Sequence, residues 1–289
     1  VMSRHFLSLA DHSAASIKSL LDIADRTKSY PRSFNDACEG QTLAMIFQKP
    51  SLRTRVSFQT GIYQLGGHGI YLGPTDIQLH RGETISDTTK VLGRYVDGIM
   101  ARVFSHSDVV ELAAQGTVPV INGLSDLLHP CQVLADLQTI REQKGTLKGL
   151  KLAYIGDGNN MAHSLLQGCA QMGMTVAIGH PRGYAPEADV VTRSRDIAAE
   201  SDGGVLITED PMEAADLADV IYTDVWVSMG QEEESRKRRQ HFEGFIVDHK
   251  LMSTARPDAI FMHCLPAHRG EEVGAEVIDG PQSVVFDQA

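Results

Sequence analysis

Apolar positions along this chain follow two rhythms that alternate from one end to the other. Unbroken apolar runs of four to seven residues read as strands buried on both faces, and apolar residues spaced three or four apart read as helices. The first helix is predicted over residues 13–28, where Ile17, Leu20, Leu21 and Ala24 share a face behind Asp11 or Ser13 as cap. Strand 43–47 follows, then a helix after Arg55 marked by Val56, Phe58, Ile62, Tyr63 and Leu65, a Gly66-Gly67 turn and strand 69–72. A polar, glycine-bounded loop over 73–84 is long enough to serve as a lid or to reach a neighbouring subunit. Next come a helix capped by Ser86 and running to Tyr95, strand 98–104, helix 107–115, strand 118–121 and a long helix opening near His129-Pro130.

Gly145 and Gly149, set among lysines, mark a hinge, after which the alternation restarts. Strands are predicted at 151–155, 175–178, 205–208, 220–224, 259–262 and 283–286, with helices at 160–172, 187–199 and around 212–217. The charged stretch 232–239 reads as a solvated helix face. This alternation implies an α/β fold of two doubly wound parallel-sheet domains, residues 1–144 and 149–289. The active site is expected in the cleft between them, where strand C-termini point.

A chain of 289 residues is long for a single core, which agrees with two domains. The net charge of −11 disfavours nucleic acid or an anionic membrane as partner. No apolar run approaches the ~20 residues that span a bilayer, and residues 1–9 lack the pattern of a secretory leader. The four cysteines, Cys38, Cys131, Cys169 and Cys264, are far apart and form no CxxC pair. That spacing implies a reducing, cytoplasmic setting and no structural zinc.

Candidate chemistry gathers at the predicted strand ends. Lys49-Pro50-Ser51-Leu52-Arg53-Thr54-Arg55 joins a strand to a helix, so backbone N–H groups and the positive end of the helix dipole point outward. Ser51 and Thr54 add hydroxyls, and Arg53 and Arg55 add planar forks suited to phosphate or carboxylate. Arg102 sits in an otherwise apolar strand, a costly place unless it meets an anion. His129 and Gln132 flank a helix start at Pro130. Asp224 ends one strand and can pair with an ammonium group, and Cys264 follows another. His263, Cys264 and His268 hint at a metal, but no further ligand lies at a useful spacing, so no metal is expected. Gly156-Asp157-Gly158-Asn159-Asn160 resembles the opening of a dinucleotide fingerprint. It lacks the third glycine, however, and the next strand ends in Gly179-His180 rather than an acidic residue.

Taken in order, Ser51-Leu52-Arg53-Thr54-Arg55, Arg102, His129-Pro130-Cys131-Gln132, Asp224-Val225-Trp226-Val227-Ser228-Met229-Gly230 and His263-Cys264-Leu265-Pro266 resemble the aspartate/ornithine carbamoyltransferase family. The last two motifs point to its ornithine branch. The resemblance implies transfer of the carbamoyl group of carbamoyl phosphate to the δ-amine of L-ornithine, giving L-citrulline and phosphate, in arginine biosynthesis. It implies that Ser51, Leu52, Arg53, Thr54 and Arg55 bind carbamoyl phosphate, chiefly its phosphate, while Arg102, His129 and Gln132 address the carbamoyl group. Gln78 would reach a neighbouring subunit's site in a homotrimer. Asn160, Asp224, Ser228 and Met229 would hold ornithine, with Cys264 and Leu265 beside the reacting amine and the carbamoyl group. Arg102, His129, Asp224 and Cys264 are the expected catalytic residues, and no cofactor is expected because the phosphate is already a good leaving group. The family's chain continues past the last strand with an arginine that touches carbamoyl phosphate and a final helix, whereas this sequence stops at Ala289. Competing readings are a carbamoyltransferase for putrescine or N-acetylornithine, a nucleotide-binding oxidoreductase using the Gly156–Gly158 turn, and a catalytically idle paralogue.

Overall fold

The computed structural model describes residues 5–77, 82–227 and 235–289. They form two compact units, Val1–Cys131 and Gln132–Ala289. In the first unit the order is α1 (Ala14–Ser29), β1 (Thr42–Phe47), α2 (Leu52–Gln64), β2 (His68–Leu72), α3 (Ile85–Leu92), β3 (Gly98–Arg102), α4 (His106–Gln115) and β4 (Val120–Leu124). Helix α5 (Pro130–Lys144) starts at the boundary and runs into the second unit. There follow β5 (Lys151–Ile155), α6 (Asn160–Gln171), β6 (Thr175–Gly179), α7 (Ala188–Ser201), β7 (Gly204–Thr208), α8 (Pro211–Ala215) and β8 (Val220–Thr223). The remainder is α9 (Ser235–His241), α10 (His249–Met252), β9 (Ile260–His263), α11 (Ala275–Ile278) and α12 (Val285–Gln288). Among the described residues no helix is long and apolar enough to cross a membrane.

Both sheets are parallel throughout, with strand orders β2-β1-β3-β4 and β7-β6-β5-β8-β9. Parallel pairing lets every strand end on the same edge of its sheet, and each central strand is buried on both faces, which explains the unbroken apolar runs. In the first sheet Ala44, Ile46, Ile99, Ala101 and Val120 pack on one face against Ile85, Val109 and Leu112. Met45, Phe47 and Met100 pack on the other, with Phe58 and Tyr71. In the second unit α6 is buried along almost its whole length, from Met161 to Gln171. Chain order reverses at β1/β3 in one sheet and at β5/β8 in the other, the points at which an open parallel sheet offers a crevice at its strand C-termini.

Several elements differ from the sequence-based expectation. Helix α2 begins at Leu52 rather than after Arg55, because the Ser51 hydroxyl caps it by accepting from the Thr54 N–H at 3.3 Å. Helix α3 is capped by Thr84, not Ser86; Thr84 Oγ1 accepts from the Asp87 N–H at 3.1 Å. The expected strand 283–286 is a single bridge at Ser283 followed by a helical turn, with Val285 and Gln288 inward and Phe286 outward. The three apolar residues Val284, Val285 and Phe286 are too short a run to distinguish the two periods. The stretch expected to be a solvated helix face instead buries Arg238, which donates to Asp157 Oδ2 at 2.8 Å and to the Trp226 carbonyl at 2.9 Å. Charge patterning does not foresee one guanidinium of a basic run turning inward to meet a buried carboxylate.

Gly158 shows why the Gly156–Asn160 turn is glycine-rich. Its N–H donates to the Tyr184 carbonyl at 2.8 Å, and a Cβ there would overlap the backbone of Ala185 and Pro186. The close approach that a dinucleotide fingerprint reserves for a pyrophosphate is taken by the chain's own 184–186 segment. Gly158→Ala is therefore expected to lower unfolding stability by about 1–3 kcal/mol, read from urea melts of the variant and the parent.

Candidate active site

In the first unit the crevice at β1/β3 collects cationic and helix-terminal groups. Phe47, the last residue of β1, pairs with Arg102, the last residue of β3, so the Ser51 turn and Arg102 leave neighbouring strand ends. Helix α2 starts directly at the motif, and its first-turn amides and those of the Ser51 cap point along the dipole. Arg53 and Arg55 are exposed, and the Arg55 guanidinium stacks 3.7 Å from the centre of the Tyr71 ring, which holds the fork flat without consuming its donors. Arg102 is buried. The Gln48 N–H donates to its carbonyl at 2.9 Å, and the Gln48 side chain bridges the Phe104 N–H and Asp108 Oδ2, fixing the strand end.

His129 precedes Pro130, the first residue of α5. Burial, and then the Arg102 charge, lower its pKa to about 3. Its imidazole is thus neutral near pH 7 and can donate a hydrogen bond without bringing a charge. Burial and the Arg102 charge also lower the Lys49 pKa.

In the second unit the crevice at β5/β8 is built on Asp224, the residue after β8. Its Oδ1 accepts from the Cys264 thiol at 3.1 Å and from the Val225 N–H at 2.8 Å; its Oδ2 accepts from Asn159 Nδ2 at 3.1 Å. Burial, followed by the Asp224 charge, raises the Cys264 pKa well above the usual thiol range, so this sulfur stays protonated and is no thiolate nucleophile. Asn159 caps α6 by accepting from the Met161 and Ala162 N–H groups at 2.9 and 3.2 Å, and also accepts from the Tyr154 hydroxyl. Asn160 is the first residue of α6 and half-buried.

Gln132, in the first turn of α5, donates to Asp136 Oδ1 at 3.0 Å. Asp136 is fully buried and also accepts from Gln288 Nε2 at 2.8 Å. Burial raises its pKa to about 7 against the hydrogen bonds from Gln132, Gln288 and Tyr222. Gln288 Nε2 also lies 3.0 Å from the Tyr222 hydroxyl, so Gln132, Asp136, Gln288 and Tyr222 form one connected polar group.

Two trios of potential ligand atoms lie within 4.8 Å of one another among the described residues, Asp224–His263–Cys264 and His268–Glu271–Glu272. In the first, both His263 nitrogens are engaged, Nδ1 by the Leu265 N–H and Nε2 by Glu272. In the second, Glu271 is paired with Arg239 at 2.8 Å and Glu272 with His263 at 3.1 Å. These donor sets are spent on the protein's own partners.

Within the first unit, then, Ser51, Thr54 and Arg102 lie at neighbouring strand ends; within the second, Asp224 and Cys264 are in contact, and Gln132 is bonded to Asp136. Gln78, Ser228 and Met229 lie outside the described residues. Sequence reasoning missed Asn159, Asp136, Tyr222 and Gln288. Asn159 carried a signal, an amide one residue before a helix after a glycine turn, and Asp136 carried another, its four-residue spacing from Gln132.

The depressed His129 pKa makes a prediction with a definite sign. Because the folded state resists protonation, its contribution to stability is complete above the unfolded pKa of about 6.5 and is lost as pH falls from there towards about 3. A histidine NMR titration is expected to find the His129 ring neutral from pH 8 to pH 5; titration near 6.5 would contradict its burial beside Arg102.

Comparison with known proteins identifies the family. Residues 4–142 match the family model "Aspartate/ornithine carbamoyltransferase, carbamoyl-P binding domain", and residues 148–289 match the "Asp/Orn binding domain" of the same family. The chain is 56% identical over 288 residues to an ornithine carbamoyltransferase of Thermococcus kodakarensis, covering 99% of this chain and 91% of that protein. It is 57% identical to one from Oceanobacillus iheyensis, covering 99% and 89%. The solved structure of the Pyrococcus furiosus ornithine carbamoyltransferase superposes with a TM-score of 0.96 at 54% identity, over 100% of this chain and 94% of that one. The chain belongs to the aspartate/ornithine carbamoyltransferase family.

Proposed function

We propose that the protein transfers the carbamoyl group of carbamoyl phosphate to the δ-amine of L-ornithine, releasing phosphate and L-citrulline, in the biosynthesis of arginine. The observation that carries this reading is the Asp224 carboxylate, buried at a strand end and held by Cys264 and Asn159, a seat of the right charge for an amino-acid ammonium. Relatives more than half identical over nearly the whole chain bear the name ornithine carbamoyltransferase, and one from Pyrococcus furiosus is called anabolic. Residues 1–144 serve carbamoyl phosphate and residues 149–289 serve ornithine.

The neutral δ-amine attacks the carbonyl carbon, a C–N bond forms, the C–O bond to phosphate breaks, and the amine proton is lost. Ser51, Leu52, Arg53, Thr54 and Arg55 meet the phosphate through hydroxyls, guanidinium forks and the α2 amides, and so stabilise the charge it gathers on leaving. Arg102 and the neutral His129 donate to the carbonyl oxygen as it becomes an oxyanion, with Gln132 on the carbamoyl amide. Removing the Arg102 guanidinium costs on the order of 10²–10³ in kcat. Asn160, Asp224, Ser228 and Met229 hold the ornithine backbone groups. Cys264, as a thiol, and Leu265 border the δ-amine.

The protein is assigned to the cytoplasm and to a homotrimer in which Gln78 enters the neighbour's site. Helix α2 supports self-association: it buries no residue within the chain, and Leu52, Val56 and Tyr63 are 75%, 52% and 78% exposed.

Incubation with both substrates is expected to give citrulline, and a panel including putrescine and N-acetylornithine should leave ornithine preferred. Arg53→Ala should abolish carbamoyl phosphate binding in calorimetry; unchanged affinity would refute the phosphate role. Asp224→Asn should impair ornithine use more than carbamoyl phosphate binding. Turnover should rise through mildly alkaline pH as an amine with an ordinary pKa of about 10.4 deprotonates, and a flat profile would contradict attack by free amine.

A further inference from the structure

Glu272 is a fully buried carboxylate with no part in the chemistry described above. Its Oε1 accepts from His263 Nε2 at 3.1 Å and from the His268 backbone N–H at 2.6 Å, so one oxygen binds both ends of the segment that contains Cys264 and Leu265. Glu272 is itself held by its main chain, whose carbonyl accepts from the Val247 N–H at 2.9 Å. The ring of His263 is enclosed as completely as the carboxylate.

The second His263 nitrogen fixes the tautomer of the ring. The Leu265 N–H donates to Nδ1 at 2.8 Å, so Nδ1 offers its lone pair and the ring proton sits on Nε2, directed at Glu272. In the other tautomer two N–H groups would meet at Leu265, and a lone pair would face a carboxylate. The capped residue needs the help: Leu265 has φ of +57°, a left-handed backbone that branched side chains disfavour. That turn directs the Cys264 thiol at Asp224 Oδ1, 3.1 Å away.

We propose that Glu272 is a positioning residue, which selects the Nε2-protonated form of His263 and thereby holds the Cys264–Leu265 backbone in the shape that brings Cys264 to Asp224. The inference rests on the proposed carbamoyl transfer at Cys264 and Asp224, and it assigns Glu272 no contact with substrate.

Glu272→Met fills a similar volume and accepts no hydrogen bond, whereas Glu272→Gln keeps an acceptor oxygen. In the full chain, kcat for citrulline formation is expected to fall on the order of 10- to 100-fold in Glu272→Met and to stay within about threefold of the parent in Glu272→Gln. Nitrogen NMR of the His263 ring, assigned by its loss in His263→Asn, should show a single Nε2-protonated tautomer in the parent and in Glu272→Gln but not in Glu272→Met. A Glu272→Met enzyme with parental kcat, or an unchanged His263 tautomer in it, overturns the inference. So does equal loss in both variants, which is what a purely structural carboxylate gives. Should Glu272→Met fail to fold, His263→Asn and His263→Leu decide instead. Asn can still accept from the Leu265 N–H, so it should keep more activity than Leu, and equal loss in the two counts against the clamp. A parent that makes no citrulline overturns the proposed reaction, while the ring spectra report on the Glu272–His263 contact alone.

Discussion

The carboxylate of Asp224 is the constraint on which the second unit's chemistry depends. Parallel pairing delivers the ends of β5, β8 and β9 to one edge of the sheet, but main-chain hydrogen bonding stops there. Asp224 takes over by collecting a thiol from the β9 end, a side-chain amide from the turn after β5, and its own neighbour's N–H. A buried charge without such donors would be prohibitively costly, and with them it becomes a fixed negative point in a crevice. The same charge, added to burial, keeps Cys264 protonated. What looks in the sequence like a reactive cysteine works as a hydrogen-bonding thiol.

The first unit handles charge in the opposite way. Its cations lie where a helix begins, so their field adds to that of the free amides. Arg55 is braced on Tyr71, and Arg102 is buried near His129. Burial, and after it the Arg102 charge, keeps the His129 imidazole neutral at neutral pH, so that it remains a neutral donor. The first unit thus gathers positive charge at a helix start, whereas the second gathers donors around a buried carboxylate.

Support for these groups lies one layer deeper, in polar residues on apolar elements. Asp136 lies on α5 four residues after Gln132, and Gln288 reaches it from α12. Glu272 acts through His263 at the end of β9. Each is fully or almost fully buried and tied by a hydrogen bond to a residue elsewhere in the chain, Asp136 to Gln288 and Glu272 to His263, so that these polar groups fix how the elements that carry them pack.

By itself the sequence determined the alternation of strands and helices, the parallel class of both sheets, and the strand-end positions of Ser51, Arg102, Asp224 and Cys264. It could do so because periodicity is local: a strand buried on both faces must be apolar throughout, and a polar residue at its end is conspicuous. Helix starts slipped by two to four residues, at Leu52 and Ile85, because a cap is decided by which hydroxyl meets which amide. The short run at 283–286 and the inward turn of Arg238 were not legible, since both depend on partners far away in the chain: Phe261 for one, Asp157 and Trp226 for the other. Only the tertiary structure decided that Asn159 touches Asp224, that Gln132 is joined to Tyr222 through Asp136 and Gln288, and that His263 answers to Glu272. Those contacts join residues brought together by strand order, which is a property of the folded sheet and not of any stretch of chain.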